Sequence, residues 1–136
     1  MRQRLLILGA SGFGREVVSW ASQVPPELRE WDLGGFLDDR PGVLDGMNIP
    51  YGIVGAPGTY EPRPEDRVVV AIGIPSERRR YVDMVAARGA RFTSIIHPSV
   101  VMGFNNRWGV GCIFCPGAML TTNVKVGDHV VFNCQS

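Results

Sequence analysis

Glycines cluster near the amino terminus with a spacing that suits a phosphate site. Gly9, Gly12 and Gly14 follow a short apolar run, and Ser11 stands among them. Glycines let a backbone approach a diphosphate, and the N-terminus of a following helix stabilises its charge. The order G-x-x-G-x-G differs from the G-x-G-x-x-G of dinucleotide enzymes. A tight strand-to-helix turn explains the same glycines, and Ser11 would then only start the helix.

Two carboxylates, Asp38 and Asp39, end a second apolar run. The carboxyl edge of an open α/β sheet is where such folds bind ligands. A carboxylate there accepts hydrogen bonds from a ribose hydroxyl or a uracil N–H, and Asp38 is the preferred candidate. A solvated turn is the alternative. Gly73 and Ile74 end a third apolar run and would pack against a base.

Basic and thiol side chains give weaker signals. Arg78 begins a run of three arginines that would reach a phosphate or form a solvated helix face. His97 is interpreted as a structural junction, although a histidine can titrate near neutral pH. Cys112 and Cys115 have a metal-binding spacing, but no second cysteine pair or suitably spaced histidine follows them. We therefore interpret them as packed thiols and predict no metal site.

These residues are carried by alternating strand and helix patterns up to about residue 95. The apolar runs 4–8, 34–39 and 67–73 predict parallel strands, with a short strand near 53–54. Helical spacing follows the first run, and a helix is predicted over 76–89, with Ser76 as its N-cap and Gly89 as its stop. The predicted fold class is α/β, a small Rossmann-like parallel-sheet domain.

A different period begins after residue 95. Small or β-branched residues stand four positions after most members of a series of bulky apolar residues. The bulky residues recur every six positions and are Met102, Trp108, Phe114, Leu120, Val126 and Phe132. Hexapeptide repeats of this kind are typical of a parallel β-helix. We expect the large members of the series, Trp108 included, to fill its core.

Composition excludes several classes of protein. Fourteen basic against thirteen acidic residues give a formal net charge of +1, unlike the basic face of a nucleic-acid-binding domain. Three cysteines, of which Cys134 is the last, do not make the even set of a disulfide framework. No apolar run approaches the length of a membrane span. We expect a cytoplasmic protein with no nucleic-acid or membrane partner.

The segments GASGFGREVV, GFLDD, AIGIPSERRR and IIHPSV, followed by hexapeptides, occur in one order along the chain. This order resembles the nucleotide-sugar acyltransferases of the sialic-acid O-acetyltransferase type and the bacterial UDP-4-amino-sugar N-acetyltransferases. The resemblance implies a Rossmann-like nucleotide-sugar-binding domain over 1–95. It also implies the first coils of a left-handed parallel β-helix over 96–136.

The family further implies a UDP-sugar as substrate, acetyl-CoA as co-substrate and a homotrimer that binds acetyl-CoA between subunits. The resulting activity is N- or O-acetyl transfer to the sugar. Ten candidate substrate-binding residues follow from the motifs and the resemblance together: Gly9, Ser11, Gly12, Phe13, Gly14, Asp38, Asp39, Gly73, Ile74 and Arg78.

One departure concerns the catalytic base. The resemblance implies a histidine as base, at a position beyond Ser136, and His129 is not assigned that role. We therefore expect this 136-residue chain to contain no catalytic residue and to have no acetyltransferase activity. A non-catalytic sugar-nucleotide-binding module is an alternative. An NAD(P)-dependent oxidoreductase is another, but the Tyr-x-x-x-Lys pair of short-chain dehydrogenases is absent, because Thr121 stands four residues before Lys125.

Overall fold

A computed structural model describes residues 2–133 and contains a four-stranded parallel sheet that is covered by two helices and followed by short strands. The elements are β1 Gln3–Leu8, α1 Gly12–Ser22, β2 Trp31–Leu37, β3 Ile53–Gly55, β4 Asp66–Val70, α2 Pro75–Ala86, β5 Ile95–Ile96, β6 Val101–Met102, β7 Ile113–Phe114, β8 Met119–Leu120 and β9 Val131–Phe132. The strand order in the parallel sheet is β3-β2-β1-β4. Short 3-10 turns lie at Pro26–Leu28 and Pro57–Thr59.

Both faces of the sheet are buried, which is why its strands are continuous apolar runs. Alternate residues of β1 belong to two different core clusters, with Leu5 and Ile7 on one face and Leu6 and Leu8 on the other. The first cluster includes Val17 and other residues of α1, and the second includes residues of α2. One helix therefore covers each face, and the predicted α/β fold class is confirmed.

The ends of α2 differ from the predicted ones. The N-cap position is held by Ile74, and Pro75 occupies the first helical position. The predicted cap at Ser76 is wrong, because the fixed φ of proline suits that first position and starts the helix one residue earlier. Gly89 adopts a left-handed conformation with φ of 94° after the helix, and its N–H donates to the carbonyl of Ala86 at 3.0 Å.

In the coil region, residues 95–133, each strand pairs with the strand three hexapeptides further along the chain. β5 pairs with β7 and β7 with β9, and β6 pairs with β8, always in parallel. An isolated parallel bridge joins Arg107 to Lys125 on a third face. Three hexapeptides therefore make one turn, and each contributes one flat face, as the six-residue period predicts. The left-handed sense of the coil stays a prediction.

Corners between the flat faces recur every six residues. The φ values are 64°, 72°, 81°, 59° and 57° at Asn105, Gly111, Gly117, Asn123 and His129. Left-handed backbone is adopted most readily by glycine and, among other residues, is enriched in Asn, Asp and His. The corner positions are therefore filled by residue types that this conformation favours.

Aromatic rings fill the interior of the coil. Phe114 and Phe132 lie one turn apart, with ring centroids 4.9 Å apart and an interplanar angle of 10°. Trp108 makes an edge contact with Phe114 at 5.7 Å, but 39% of its surface is exposed. Its predicted place in the core is wrong, because the stacked phenylalanines already occupy the interior beside it.

The coil packs directly against the sheet domain. Ile95, Ile113 and Cys115 belong to the same buried cluster as α1 and one face of the sheet. Val131 packs against that cluster from the next turn. One face of the coil is thus continuous with the core of the first domain, while the boundary at residue 95 stays a prediction.

A buried charged network closes the amino end of β4. Asp66 is 1% exposed and accepts hydrogen bonds from Arg4 Nε and Nη2 at 2.7 and 3.0 Å and from the Tyr60 hydroxyl at 2.7 Å. Burial acts to raise the pKa of Asp66, but the hydrogen bonds from Arg4 and Tyr60 hold it below its ordinary value. The carboxylate is therefore ionised at neutral pH.

We expect Asp66→Asn to lower the free energy of unfolding by about 3 kcal/mol, since it removes one partner of a buried ion pair. Urea denaturation at pH 7 measures this change. Asp32→Asn is the matched control, because Asp32 pairs with Arg2 at 3.0 Å on the surface and exposed pairs contribute less than about 1 kcal/mol. Equal losses in the two variants would contradict the assignment.

The same carboxylate predicts part of the acid sensitivity of the fold. Folding lowers the pKa of Asp66, so its stabilisation is complete above the unfolded value of about 3.9. That stabilisation is lost as the pH falls through the lower folded-state pKa. In denaturation series below pH 5, the stability of Asp66→Asn should fall less steeply than that of the wild type. Parallel curves would exclude this contribution.

Candidate functional site

A cavity of about 420 Å³ opens at the carboxyl ends of β1, β2 and β4. We call it the sheet-edge cavity. Seven of the ten predicted site residues line it, namely Gly9, Ser11, Phe13, Asp38, Asp39, Gly73 and Ile74. Gly12, Gly14 and Arg78 are not part of its lining. The structure thus brings three separate segments of the sequence together at one edge of the sheet.

Two of the glycines are required by the backbone itself. Gly9 has φ of 104°, and a side chain there would lie 2.9 Å from the carbonyl oxygen of Ala71. Gly14 is in the first turn of α1, where a Cβ would lie only 1.7 Å from the Gly9 carbonyl oxygen. Gly12 has no atom within 4 Å of its Cβ position. The glycine segment therefore brings α1 close to the end of β1, as a tight turn requires.

The N-terminus of α1 is not capped by its own sequence. Ser11 holds the N-cap position but makes no capping hydrogen bond, and the first turn has no acidic residue. Its hydroxyl instead accepts a hydrogen bond from Arg40 Nη2 at 2.6 Å. The first N–H groups of a helix need an acceptor from outside it, and an anion is a suitable one. Among residues 2–133, no side-chain hydrogen bond caps this helix end, which lies beside the cavity.

Asp38 is a buried carboxylate that organises the cavity wall. Its Oδ2 accepts the N–H of Ala10 at 2.8 Å, and its Oδ1 accepts the N–H of Arg40 at 2.9 Å. The Arg40 guanidinium donates to both oxygens at 3.0 Å. Burial acts to raise the pKa of Asp38, but these hydrogen bonds hold it below its ordinary value. Both oxygens are thus engaged within the chain.

Asp39 has a more open environment. It is exposed, lines the cavity and accepts a hydrogen bond from the Tyr81 hydroxyl at 3.2 Å. A carboxylate has room for about four hydrogen bonds, so this side chain has acceptor capacity that faces the cavity. Of the two predicted carboxylates, Asp39 is the better placed to contact a ligand, whereas Asp38 positions the surrounding backbone.

Arg40 and Tyr81 are cavity residues that the sequence analysis missed. Arg40 is 57% exposed along its side chain while it bridges Asp38 and Ser11. Its signal was its place directly after the two carboxylates at a strand end. Tyr81, on α2, is half-buried, and its hydroxyl donates to Asp39. A side chain with an apolar ring and a polar tip suits that position.

Arg78 lies beside the coil corner at His129, outside the cavity lining. Its Nη1 donates to the carbonyl oxygens of Ile72 at 2.8 Å and Gly73 at 3.4 Å, and its Nε donates to that of His129 at 3.1 Å. These groups stand on the chain that leaves β4 and in the coil region. Contact between Arg78 and a phosphate stays a prediction.

His97 joins the start of the coil to α1. Its Nδ1 accepts the N–H of Ser99 at 3.1 Å, and its Nε2 meets the side-chain oxygen of Gln23 just after the helix. Because Nδ1 is an acceptor, the ring proton is on Nε2 and is donated to Gln23. Burial lowers the pKa of His97, so the ring is neutral at pH 7. These contacts agree with a structural junction.

The thiols are enclosed in protein. Cys112 is fully buried in the coil interior, and its Sγ lies 3.2 Å from the carbonyl oxygen of Gly127. Cys115 is buried in the cluster shared with the sheet domain. Cys134 and Ser136 lie outside the described residues, and so does the predicted position of the catalytic base.

Residues 2–133 contain no group of three or more His, Cys, Asp or Glu side chains arranged to hold a metal ion. Neither helix in that part of the chain is long and apolar enough to cross a membrane.

Comparison with known proteins gives a family and a fold. The PglD N-terminal domain family matches residues 4–85. The acetyltransferase domain of PglB from Neisseria gonorrhoeae FA1090, solved in complex with acetyl coenzyme A, has a TM-score of 0.79 and 24% identity. That alignment covers 98% of this chain and 62% of that domain. No curated protein sequence matches the chain.

Two further solved structures have the same fold. PerB from Caulobacter crescentus, in complex with CoA and GDP-perosamine, has a TM-score of 0.78 and 22% identity over 96% of this chain and 59% of its own. WeeI from Acinetobacter baumannii AYE has a TM-score of 0.76 and 26% identity over 96% of this chain and 61% of its own. The chain therefore spans about three fifths of the length of these structures.

We expect Gly14→Ala to destabilise the fold by about 2 kcal/mol or more, because the added methyl group meets the Gly9 carbonyl and must push α1 away from β1. Gly12→Ala is the matched control on the same helical turn. It should be neutral or stabilising by up to about 1 kcal/mol, since alanine loses less backbone entropy on folding. Thermal unfolding of both variants tests this difference, and equal midpoints would contradict it.

Proposed function

Because the chain belongs to the PglD N-terminal domain family, we propose that its sheet-edge cavity binds a sugar nucleotide and that it serves an acetyl-CoA-dependent sugar acetyltransferase. The observation that carries this proposal is the uncapped N-terminus of α1 beside a cavity at the carboxyl edge of a parallel sheet. The volume of about 420 Å³ lies in the range of pockets for small ligands.

The contacts suit different parts of the cavity to different parts of a sugar nucleotide. A diphosphate would accept hydrogen bonds from the first N–H groups of α1, where the partial positive charge of the helix favours an anion. Arg40 stands beside this point and shares its guanidinium between Asp38 and Ser11. Asp39 would accept hydrogen bonds from ribose hydroxyls or from N–H groups of the base. Apolar cavity residues such as Ile72 and the exposed Ile74 would cover the flat face of the base.

In this proposal the cavity holds the acceptor sugar by its nucleotide, and acetyl-CoA supplies the activated acetyl group. PglB was solved with acetyl coenzyme A and PerB with CoA and GDP-perosamine, which supports this pairing of substrates. The role of the present residues is to fix the nucleotide, so that the sugar amine or hydroxyl is held at a defined distance from the coil. Positioning of this kind contributes several kcal/mol to bimolecular reactions.

A homotrimer is also part of the proposal. One face of the coil exposes apolar side chains, since Val101 and Met119 are paired neighbours that are 58% and 60% exposed. Phe104, close to them in the chain, is 82% exposed. Contiguous exposed apolar residues mark interaction surfaces, and three copies arranged around a three-fold axis would bury this face.

We expect UDP to bind this chain and Asp39→Asn to weaken that binding about 10-fold, since a hydrogen bond to a charged group contributes roughly 1.5–3 kcal/mol. Isothermal titration calorimetry with UDP, GDP and NADH in separate runs measures the affinities. Asp45→Asn is the control, with the same change of charge at an exposed position outside the cavity lining. Binding of GDP instead of UDP would change the base but keep the class, whereas binding of NADH alone would refute the proposal.

We expect sedimentation equilibrium to give the mass of a trimer and Met119→Lys to shift it toward that of a single chain. A lysine at this exposed position would place like charges at the proposed contact between copies. Thr121→Lys, also exposed, is the control for the added charge. A single-chain mass for the wild type at all concentrations would exclude the trimer.

A further inference from the structure

The guanidinium of Arg78 connects two parts of the molecule that are distant in sequence. On one side it donates to the carbonyl oxygens of Ile72 and Gly73 at 2.8 and 3.4 Å. On the other it donates to the carbonyl oxygen of His129 at 3.1 Å, 51 residues away. Ile72 and Gly73 line the sheet-edge cavity, and His129 is a corner of the coil region. One planar group therefore bridges the cavity rim and the coil.

The charge of Arg78 is satisfied without an acidic partner. Among residues 2–133, none of the ion pairs includes Arg78, and burial lowers the pKa of its guanidinium. Its neighbour Arg79 is 71% exposed and lies 3.8 Å from Asp83. Removing a guanidinium from water has a cost that carbonyl dipoles must offset. Its hydrogen bonds to the two segments are thus the interactions that hold this charge in place.

The coil end of the bridge is fixed from several directions. His129 has φ of 57°, and its N–H donates to the carbonyl of Val110 at 2.8 Å. Its ring meets that of Phe92 edge-on at 4.6 Å. A Cβ on Gly111 would lie 2.2 Å from Nδ1 of this ring, so the glycine leaves the space that the ring occupies. The carbonyl that Arg78 holds therefore belongs to a tightly packed corner.

From this geometry we propose that Arg78 is a positioning residue that couples occupancy of the sheet-edge cavity to the packing of the coil. A ligand that orders the backbone at Ile72 and Gly73 would order Arg78, and through it the corner at His129. Coupling of this kind is reciprocal, so a well-packed coil would also strengthen nucleotide binding. The coupling role rests on the proposed function, whereas the bridge itself does not.

The competing role for Arg78 is direct contact with a phosphate. The two roles differ in what the side chain must supply. A bridge between carbonyls on separate segments needs the fixed fork of arginine, which lysine lacks. A phosphate contact needs the positive charge, which lysine retains, and it affects a nucleoside diphosphate but not a nucleoside. Arg78→Lys and a comparison of UDP with uridine therefore separate them.

The test is amide hydrogen exchange followed by NMR on the full 136-residue chain, with the wild type, Arg78→Lys, Arg78→Met and the control Arg79→Met. Without ligand, we expect both Arg78 variants to exchange at least about 5-fold faster at residues 72–74 and 129–131 together. With saturating UDP, protection at 129–131 should rise about 5-fold in the wild type and in Arg79→Met, the lower limit of typical coupling. It should not rise in either Arg78 variant.

Affinities for UDP and uridine complete the test. Under the coupling proposal, Arg78→Met weakens both ligands by the same factor, and Arg78→Lys does not restore them. Loss of UDP affinity alone, with recovery in Arg78→Lys, would overturn the proposal in favour of a phosphate contact. Unchanged exchange at 129–131 in the ligand-free Arg78 variants would overturn the bridge. If neither UDP nor GDP binds the wild type, the proposed function and the coupling role both fail, while the ligand-free arm still decides the bridge.

Discussion

Asp38 places a buried, ionised carboxylate between the segment that leaves β1 and the segment that leaves β2. Its oxygens hold the N–H of Ala10 and the backbone and guanidinium of Arg40. Arg40 in turn donates a hydrogen bond to the hydroxyl of Ser11, which makes no capping hydrogen bond to the helix. The open N-terminus of α1 and the shape of the cavity wall therefore both depend on this one carboxylate. Its low pKa is a consequence of the same contacts.

The close approach of α1 to β1 and the packing of the coil extend this arrangement across the molecule. Gly14 lies against the carbonyl of Gly9, so the helix end is held next to the sheet edge. The cluster that buries α1 also contains Ile95 and Ile113 of the coil. The cavity thus lies at one end of a packed unit whose other end is the coil. A ligand bound at the sheet edge has a defined distance and direction to the coil surface.

Much of this arrangement followed from the sequence, because it depends on periodic patterns and on local chain geometry. The apolar runs predicted the strands, and the six-residue period predicted the parallel pairing of the coil. The role of Asp38 did not follow, since adjacent carboxylates at a strand end look alike until one of them is buried. Arg78 carried a usable signal, because it lies four residues before Val82 and seven before Val85, on the buried face of α2. Three arginines in a row obscured that spacing.

The corners with positive φ, which recur every six residues along the coil region, constrain how the length of this region can vary. Inserting three hexapeptides returns each flat face and each corner to its place, so a whole turn can be added or removed while the interior stays in register. Inserting a single hexapeptide moves every later one to a neighbouring face, and inserting one residue exchanges inward and outward side chains within a strand. The coil regions of related chains should therefore differ in length by whole turns. Other length differences should be confined to loops that leave the coil region at a corner.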